Sequence, residues 1–243
     1  MIRKILDNIE SKILESKNLK RFHPLHDALD TFLYSKNTQT LNAPYVRDSI
    51  DLKRTMIIVV LALLPSFIFG TYNVGLQSPE NISSSFIDCF IFGLYRVLPM
   101  YLVVFAVGGL FEALFAVIRK HEINEGFLVT GFLIPLTMPP TVPLWMLALA
   151  TIFGVVIGKE IFGGTGYNIF NPALTARAFL FFAYPSKMSG NIPWIYPADG
   201  LSKATPLLEQ SSNMNLSYSW SDMFFGFIPG SLGETSTLAV LFG

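Results

Sequence analysis

The chain has 243 residues, of which 51% are hydrophobic and only 14% are charged, and its mean hydropathy is +0.49. This composition argues against a water-soluble globule and predicts a protein embedded in a lipid bilayer. The formal net charge is zero, so the charge balance does not support a nucleic-acid partner. A single cysteine, Cys89, excludes an internal disulfide and a cysteine metal site, and the three histidines do not form a metal-binding group.

Residues 1–54 are predicted to be a cytoplasmic amphipathic segment. They hold ten of the seventeen basic residues and lack the apolar core of a cleavable signal peptide. Apolar residues near the start recur at helical spacing, which predicts a helix lying on the membrane surface; a solvated helix is the alternative. Because lysine and arginine concentrate on the inner side of membranes, we expect the N-terminus of this multi-pass protein to be cytoplasmic.

Residues 55–184 are predicted to form a membrane helix bundle. The first span covers residues 55–72, and residues 73–84 carry no lysine or arginine, as is typical of the outer side. The next apolar run, 86–118, is longer than one span. We expect Arg96 and Pro99 to divide it into a short first piece and a main span of about 20 residues.

Three residues of that main span are candidates for function. Gly108 and Gly109 leave a notch, for which close helix packing is the alternative interpretation. Glu112 is a carboxylate in an apolar helix, and an acid at membrane depth is costly unless a partner or an ion stabilises it. A position of Glu112 near the lipid headgroups is the equal alternative.

The apolar run 127–158 exceeds one span and is too short for two. Its four prolines lie in the middle, which predicts a broken half-helix followed by a returning helix; they are Pro135, Pro139, Pro140 and Pro143. Broken helices of this kind often form binding sites in membrane proteins.

The glycine-rich stretch 159–172 lacks the Lys-Ser/Thr pair of a phosphate-binding loop. A tight backbone packed against a ligand or a helix is the favoured interpretation, with Asn168 and Asn171 as amide donors. A short apolar helix at 173–184 then leads to a predicted periplasmic loop, 185–222, and residues 223–243 start another membrane segment. We expect the chain to be truncated within that segment.

A polar stretch in this loop is a candidate modification site. Asp-Gly forms turns, and Thr205 precedes Pro206, which favours an extended backbone with the hydroxyl presented on a loop. An ordinary surface turn is the alternative, with Ser202 as a helix N-cap. The stretch resembles the flavinylation signature D-G-x-S-x-A-T, which implies that a flavin transferase links FMN from FAD to Thr205 as a phosphoester. The matching residues are Asp199, Gly200, Ser202, Ala204 and Thr205, whereas Lys203 replaces the usual glycine.

Several blocks together resemble the B-subunit family of sodium-translocating NADH:quinone oxidoreductases; they are residues 46–49, 51–54, 119–127, 159–174, 177–185 and 199–205. The resemblance implies an all-α polytopic membrane bundle with broken or re-entrant helices, forming the first half of an inverted repeat similar to urea and ammonium transporters. It also implies an ion-translocating enzyme in the bacterial inner membrane, assembled with other subunits.

In that family electrons from NADH pass through partner subunits to the covalent FMN, then to a non-covalent riboflavin, and finally to ubiquinone or menaquinone, with export of Na⁺. The resemblance places Asn168 and Asn171 beside the riboflavin and Glu112 on the sodium pathway. It associates the quinone with eight positions, which are Leu25, Asp27, Gly108, Gly109, Ile123, Glu125, Gly126 and Phe127.

Two alternatives remain open at this stage. One is the D subunit of the related ferredoxin:NAD electron-transport complex, which shares the fold and the flavinylated threonine. The long basic N-terminal segment and the block 119–127 favour the quinone enzyme instead. The other is a channel or transporter of the same fold without a redox role, since a fold does not determine a function.

Overall fold

The computed structural model describes residues 52–80, 85–119, 126–189, 194–196, 205–211 and 217–243. Within these ranges every regular element is helical, which confirms the all-α class. A 3₁₀ turn covers Glu160–Phe162. The helices are α1 (Leu52–Gln77), α2 (Phe86–Arg119), α3 (Gly126–Leu136), α4 (Leu144–Val156), α5 (Pro172–Ala183), α6 (Pro185–Met188), α7 (Pro206–Ser211), α8 (Trp220–Phe225) and α9 (Thr237–Phe242).

Three helical stretches of the described residues are long and apolar enough to cross a membrane: Arg54–Gln77, Phe86–Arg119 and Leu144–Phe162. The first agrees with the span predicted at 55–72. Shorter apolar helices, α3 and α5, lie between and after them in the chain. A bundle that mixes full spans with half-length helices is therefore present, as the proline pattern predicted.

The expected division of the second apolar run is wrong, because α2 continues without a break over 34 residues with Pro99 inside it. At 1.5 Å per residue α2 is about 51 Å long, which exceeds the roughly 30 Å hydrocarbon core of a bilayer and requires tilting or extension beyond it. Arg96 lies within α2, and its guanidinium donates hydrogen bonds to the segment between α3 and α4.

The buried side of α2 is a row of residues spaced three or four apart. Where α1 meets α2, glycines allow the backbones to approach closely. A Cβ on Gly75 would lie 1.8 Å from the Cys89 carbonyl oxygen, and a Cβ on Gly93 would lie 1.9 Å from that of Thr71. Small residues permit such contacts between membrane helices, where dispersion replaces the hydrophobic effect as the attraction.

The predicted break in the run 127–158 separates α3 from α4 at residues 137–143. Its backbone carbonyls accept hydrogen bonds from two arginines on other helices. Arg96 donates to the carbonyls of Pro140 and of Val142, the latter at 2.7 Å, and Arg177 donates to Thr137 at 2.6 Å. Because lipid offers no donors, these guanidinium groups take the place that water has in a soluble loop.

The segment 228–236, between α8 and α9, enters the same break. Its backbone N–H groups at Leu232 and Gly233 donate to the carbonyls of Met138 and Leu136, at 3.3 and 2.8 Å. The Leu232 carbonyl in turn packs so closely on α1 that a Cβ on Gly70 would lie 1.7 Å from it. The break thus connects α1, α2 and α5 to the last described part of the chain.

We predict that Gly93→Ala destabilises the protein by about 1–3 kcal/mol, because the new methyl group would force α1 away from α2. Helix propensity alone predicts that Gly93→Ala stabilises the protein, since alanine is favoured over glycine by about 1 kcal/mol in a helix interior. The matched control is Gly109→Ala on the same helix, whose Cβ would meet only the Phe127 ring, at 3.7 Å. Thermal unfolding of the full-length protein in detergent measures both; equal stability of the two variants would contradict the close-packing account.

Candidate functional site

The functional candidate Glu112 is buried and forms an ion pair with Lys159. Glu112 is 4% exposed on the inward side of α2, and Lys159, just after α4, is 2% exposed. Two charges removed from water at this depth are stable only as a well-made pair, because either one alone would carry a desolvation cost of several kcal/mol. Glu112 therefore has a charged partner within the same chain, Lys159.

The ring of Phe127, at the start of α3, lies next to this pair. The Lys159 ammonium is 6.0 Å from the ring centroid, within cation–π range. The same ring covers Gly108, where a Cβ would lie 2.5 Å from the ring, and it packs edge-on against Phe105 at 5.8 Å. The notch predicted at the double glycine is thus filled by Phe127 at Gly108, and room remains at Gly109.

A cavity of about 320 Å³ opens beside the ion pair. Lys159 lines it, together with parts of α1, α3 and the loop before α5. Thr130 and Thr165 also line it: Thr130 donates to the Gly126 carbonyl at 3.2 Å, whereas the buried Thr165 Oγ1 has no hydrogen-bond partner among the described residues. The apolar lining is provided by Met56, Val129, Leu133, Ile169, Phe170 and Pro172. The volume lies in the range of small-molecule sites, whereas Thr165 Oγ1 has almost no accessible surface and does not face the open space.

The glycine-rich loop forms the wall of this cavity. Gly163, Gly164 and Gly166 have φ angles of 123°, 93° and 92°, a region that residues with a side chain rarely adopt. Asn168 and Asn171, in the loop that these tight turns shape, line the cavity. No nucleotide-binding geometry is needed to explain these glycines.

The two asparagines also maintain the shape of the loop. Asn168 accepts a hydrogen bond from the Gly166 N–H at 3.3 Å and donates to the Phe170 carbonyl at 2.9 Å. Asn171 caps α5, its side-chain oxygen accepting from the N–H groups of Ala173 and Leu174 at 2.9 and 3.4 Å. The Asn171 oxygen is therefore occupied by the helix N-terminus, and a ligand would meet the amide from its other side.

A second ion pair lies at the same end of the bundle. Arg119, the last residue of α2, donates to the Glu160 backbone carbonyl and lies 3.9 Å from its carboxylate. Glu160 is 1% exposed, and within the described part of the chain neither of its carboxylate oxygens accepts a hydrogen bond. Sequence reasoning missed the roles of Lys159 and Glu160; the signal was their position at the end of the apolar run 127–158.

The remaining predicted residues divide between the cavity, other parts of the described chain and positions outside the described ranges. Thr205 is half-buried immediately before α7, and its carbonyl accepts from the Glu209 N–H at 3.0 Å; it does not line the cavity. Gly126 lines the cavity beside Thr165. Eight further predicted residues lie outside the described ranges, which are Leu25, Asp27, Ile123, Glu125, Asp199, Gly200, Ser202 and Ala204.

Comparison with known proteins gives a consistent result. The sequence profile described as the NQR2, RnfD, RnfE family matches residues 39–243. Curated relatives named as the B subunit of Na(+)-translocating NADH-quinone reductase are 48% identical in Chromohalobacter salexigens, 45% in Pseudomonas aeruginosa (strain LESB58) and 43% in Yersinia pestis. Each alignment covers 100% of this chain and 65%, 67% and 68% of the respective relative, so the chain spans about two thirds of their length. On this evidence, together with its apolar helices, the chain is a membrane protein of the NQR2, RnfD, RnfE family.

Proposed function

We propose that the chain acts as a membrane subunit of a sodium-translocating NADH:quinone oxidoreductase, in which it carries flavins and relays electrons to quinone. The observation that carries the proposal is the similarity, over the whole chain, to relatives that are named as the B subunit of this enzyme. The family profile also includes RnfD and RnfE. The relatives' names favour the quinone enzyme over the ferredoxin:NAD complex and over a channel without redox function.

The cavity beside Lys159 is the proposed site of a non-covalent riboflavin. Its volume of about 320 Å³ suits a three-ring ligand, and its lining offers apolar contacts together with a few polar groups. Asn168 and Asn171, which line the cavity, would fix the orientation of the ligand through hydrogen bonds. When bound, riboflavin supplies a ring that takes up and releases electrons.

Thr205 is the proposed attachment point of FMN. The proposal is supported by the match to the flavinylation signature and by the position of Thr205 directly before Pro206, where α7 begins. In the proposed topology, residues 1–54 are cytoplasmic and residues 185–222 are periplasmic. The flavin transferase would then act on Thr205 from the periplasmic side of the inner membrane. Other subunits of the complex would deliver electrons to the FMN.

The quinone site is proposed at Gly109, Gly126 and Phe127, on the side of the bundle that we place at the cytoplasm. The support is geometric: a side chain at Gly109 would have room next to the Phe127 ring. Leu25, Asp27, Ile123 and Glu125 belong to the same proposal through the family resemblance. An apolar quinone ring would pack beside the Phe127 side chain and against the bare Cα of Gly109, not between the two.

Glu112 is the proposed ion-pathway residue. Its carboxylate is engaged by Lys159, so a sodium ion would have to compete with an ammonium group for it. Transport through Glu112 therefore requires that the pair opens during turnover. The bundle itself, with α3 and segment 228–236 meeting at one break, is compatible with the first of two inverted repeats of the urea-transporter type.

Replacing Thr205 by alanine is predicted to abolish the flavin fluorescence of the denatured subunit, because the acceptor oxygen is removed. Ser202→Ala, within the same motif, is the control and should keep the fluorescence. The measurement is in-gel fluorescence of the full-length subunit from the purified complex. Fluorescence that persists in Thr205→Ala would rule out attachment at this residue.

Gly109→Val is predicted to raise the quinone KM about tenfold, equivalent to about 1.4 kcal/mol of binding free energy, because the new methyl groups would occupy the space beside Phe127. NADH oxidation by artificial acceptors should not change. Ala106→Val adds similar bulk on the exposed side of the same helix and is the matched control. Steady-state kinetics of the purified complexes decide the matter: an equal loss of both activities in Gly109→Val would show that Gly109 serves helix packing alone.

A further inference from the structure

Among the described residues that line the cavity, Lys159 is the only charged one. Its ion-pair partner Glu112 is not part of the lining, and neither member of the pair Arg119–Glu160 is. The positive member of the Glu112–Lys159 pair is therefore the one on the cavity side. Within the described ranges, the cavity lining thus includes the lysine of this pair, while the carboxylate that pairs with its ammonium is outside the lining.

We infer that Glu112 holds the Lys159 ammonium beside the cavity, where its charge favours the reduced, more electron-rich form of the redox ligand bound there. The inference rests on the proposed function, because it takes the cavity to hold non-covalent riboflavin. Lys159 then acts on the ligand's reduction potential, and Glu112 is a positioning residue that acts through Lys159.

The physical reason is the low dielectric constant around the pair. Lys159 and Glu112 are 2% and 4% exposed, so water screens their fields little, and a charge at the wall acts on the ligand more strongly than a surface lysine would. Reduction brings electrons onto the ring, supplied by the proposed relay from NADH and later removed by quinone. A neighbouring positive charge stabilises the ring after it receives those electrons, which raises its midpoint potential.

Glu112 and Phe127 keep the ammonium in place. Without the carboxylate, an ammonium buried at this position would carry an uncompensated desolvation cost of several kcal/mol. The Phe127 ring, 6.0 Å from the ammonium, provides a second favourable contact. The charge at the cavity therefore depends on a residue of α2 that does not itself reach the ligand.

The test is a redox titration of purified, fully assembled complexes that contain the full-length subunit, after extraction has established their riboflavin content. Lys159→Met should lower the midpoint potential of the non-covalent flavin. Lys159→Arg, which keeps the positive charge, should have the wild-type midpoint potential. The double variant Lys159→Met with Glu112→Gln leaves no unpaired buried charge. The midpoint potential of the double variant should lie between those of Lys159→Met and the wild type. If the Lys159→Met complex does not assemble, the double variant is measured in its place. Lys187→Met, at an exposed lysine, is the matched control and should leave the potential unchanged.

The outcomes separate the inference from the proposed function. Retained riboflavin with a wild-type midpoint in Lys159→Met, or in the double variant, would overturn the role of Lys159 and leave the proposed function intact. A wild-type complex without any non-covalent riboflavin would overturn the proposed occupant of the cavity. A midpoint potential that is lowered in Lys159→Met and unchanged in Lys159→Arg supports both the role of Lys159 and the proposed function.

Discussion

The hydrogen bonds from Arg96 and Arg177 to the broken helix are the interactions on which the described bundle depends. The backbone at 137–143 has carbonyls that no helix satisfies, and a bilayer provides no water to replace the missing donors. Arg96 comes from α2 and Arg177 from α5, so meeting this requirement draws two helices to one point. Segment 228–236 adds backbone donors from a third direction.

A buried polar group also needs a partner near the other end of α2. Glu112 lies 16 residues after Arg96 on α2, about 24 Å along its axis, and pairs with Lys159. The long helix α2 thus has one side chain that donates hydrogen bonds to the break between α3 and α4, and another that pairs with a lysine lining the cavity. Fold and proposed chemistry are connected through α2, because movement of this helix would change both contacts together.

The sequence predicted the features that depend on local chemistry. Four prolines predicted the break, and the length of the apolar runs predicted the spans. It did not predict that α2 is continuous, because Arg96 and Pro99 read locally as a polar end and a helix breaker, whereas the helix includes Pro99 and Arg96 is paired with distant carbonyls. Nor did it identify Lys159 as the partner of Glu112 or Pro140 as a partner of Arg96, since these pairs are 47 and 44 residues apart. The filling of the Gly108 notch by Phe127 likewise follows from packing between helices.

A redox ligand is proposed to occupy the cavity formed by α1, α3 and the glycine-rich loop. The most direct test is an experimental density map of the purified complex containing the full-length subunit. The account predicts density for a planar three-ring molecule in this cavity, in contact with Thr165 and close to Lys159 and Asn171. Lipid acyl chains in the cavity, together with riboflavin bound elsewhere in the complex, would contradict it.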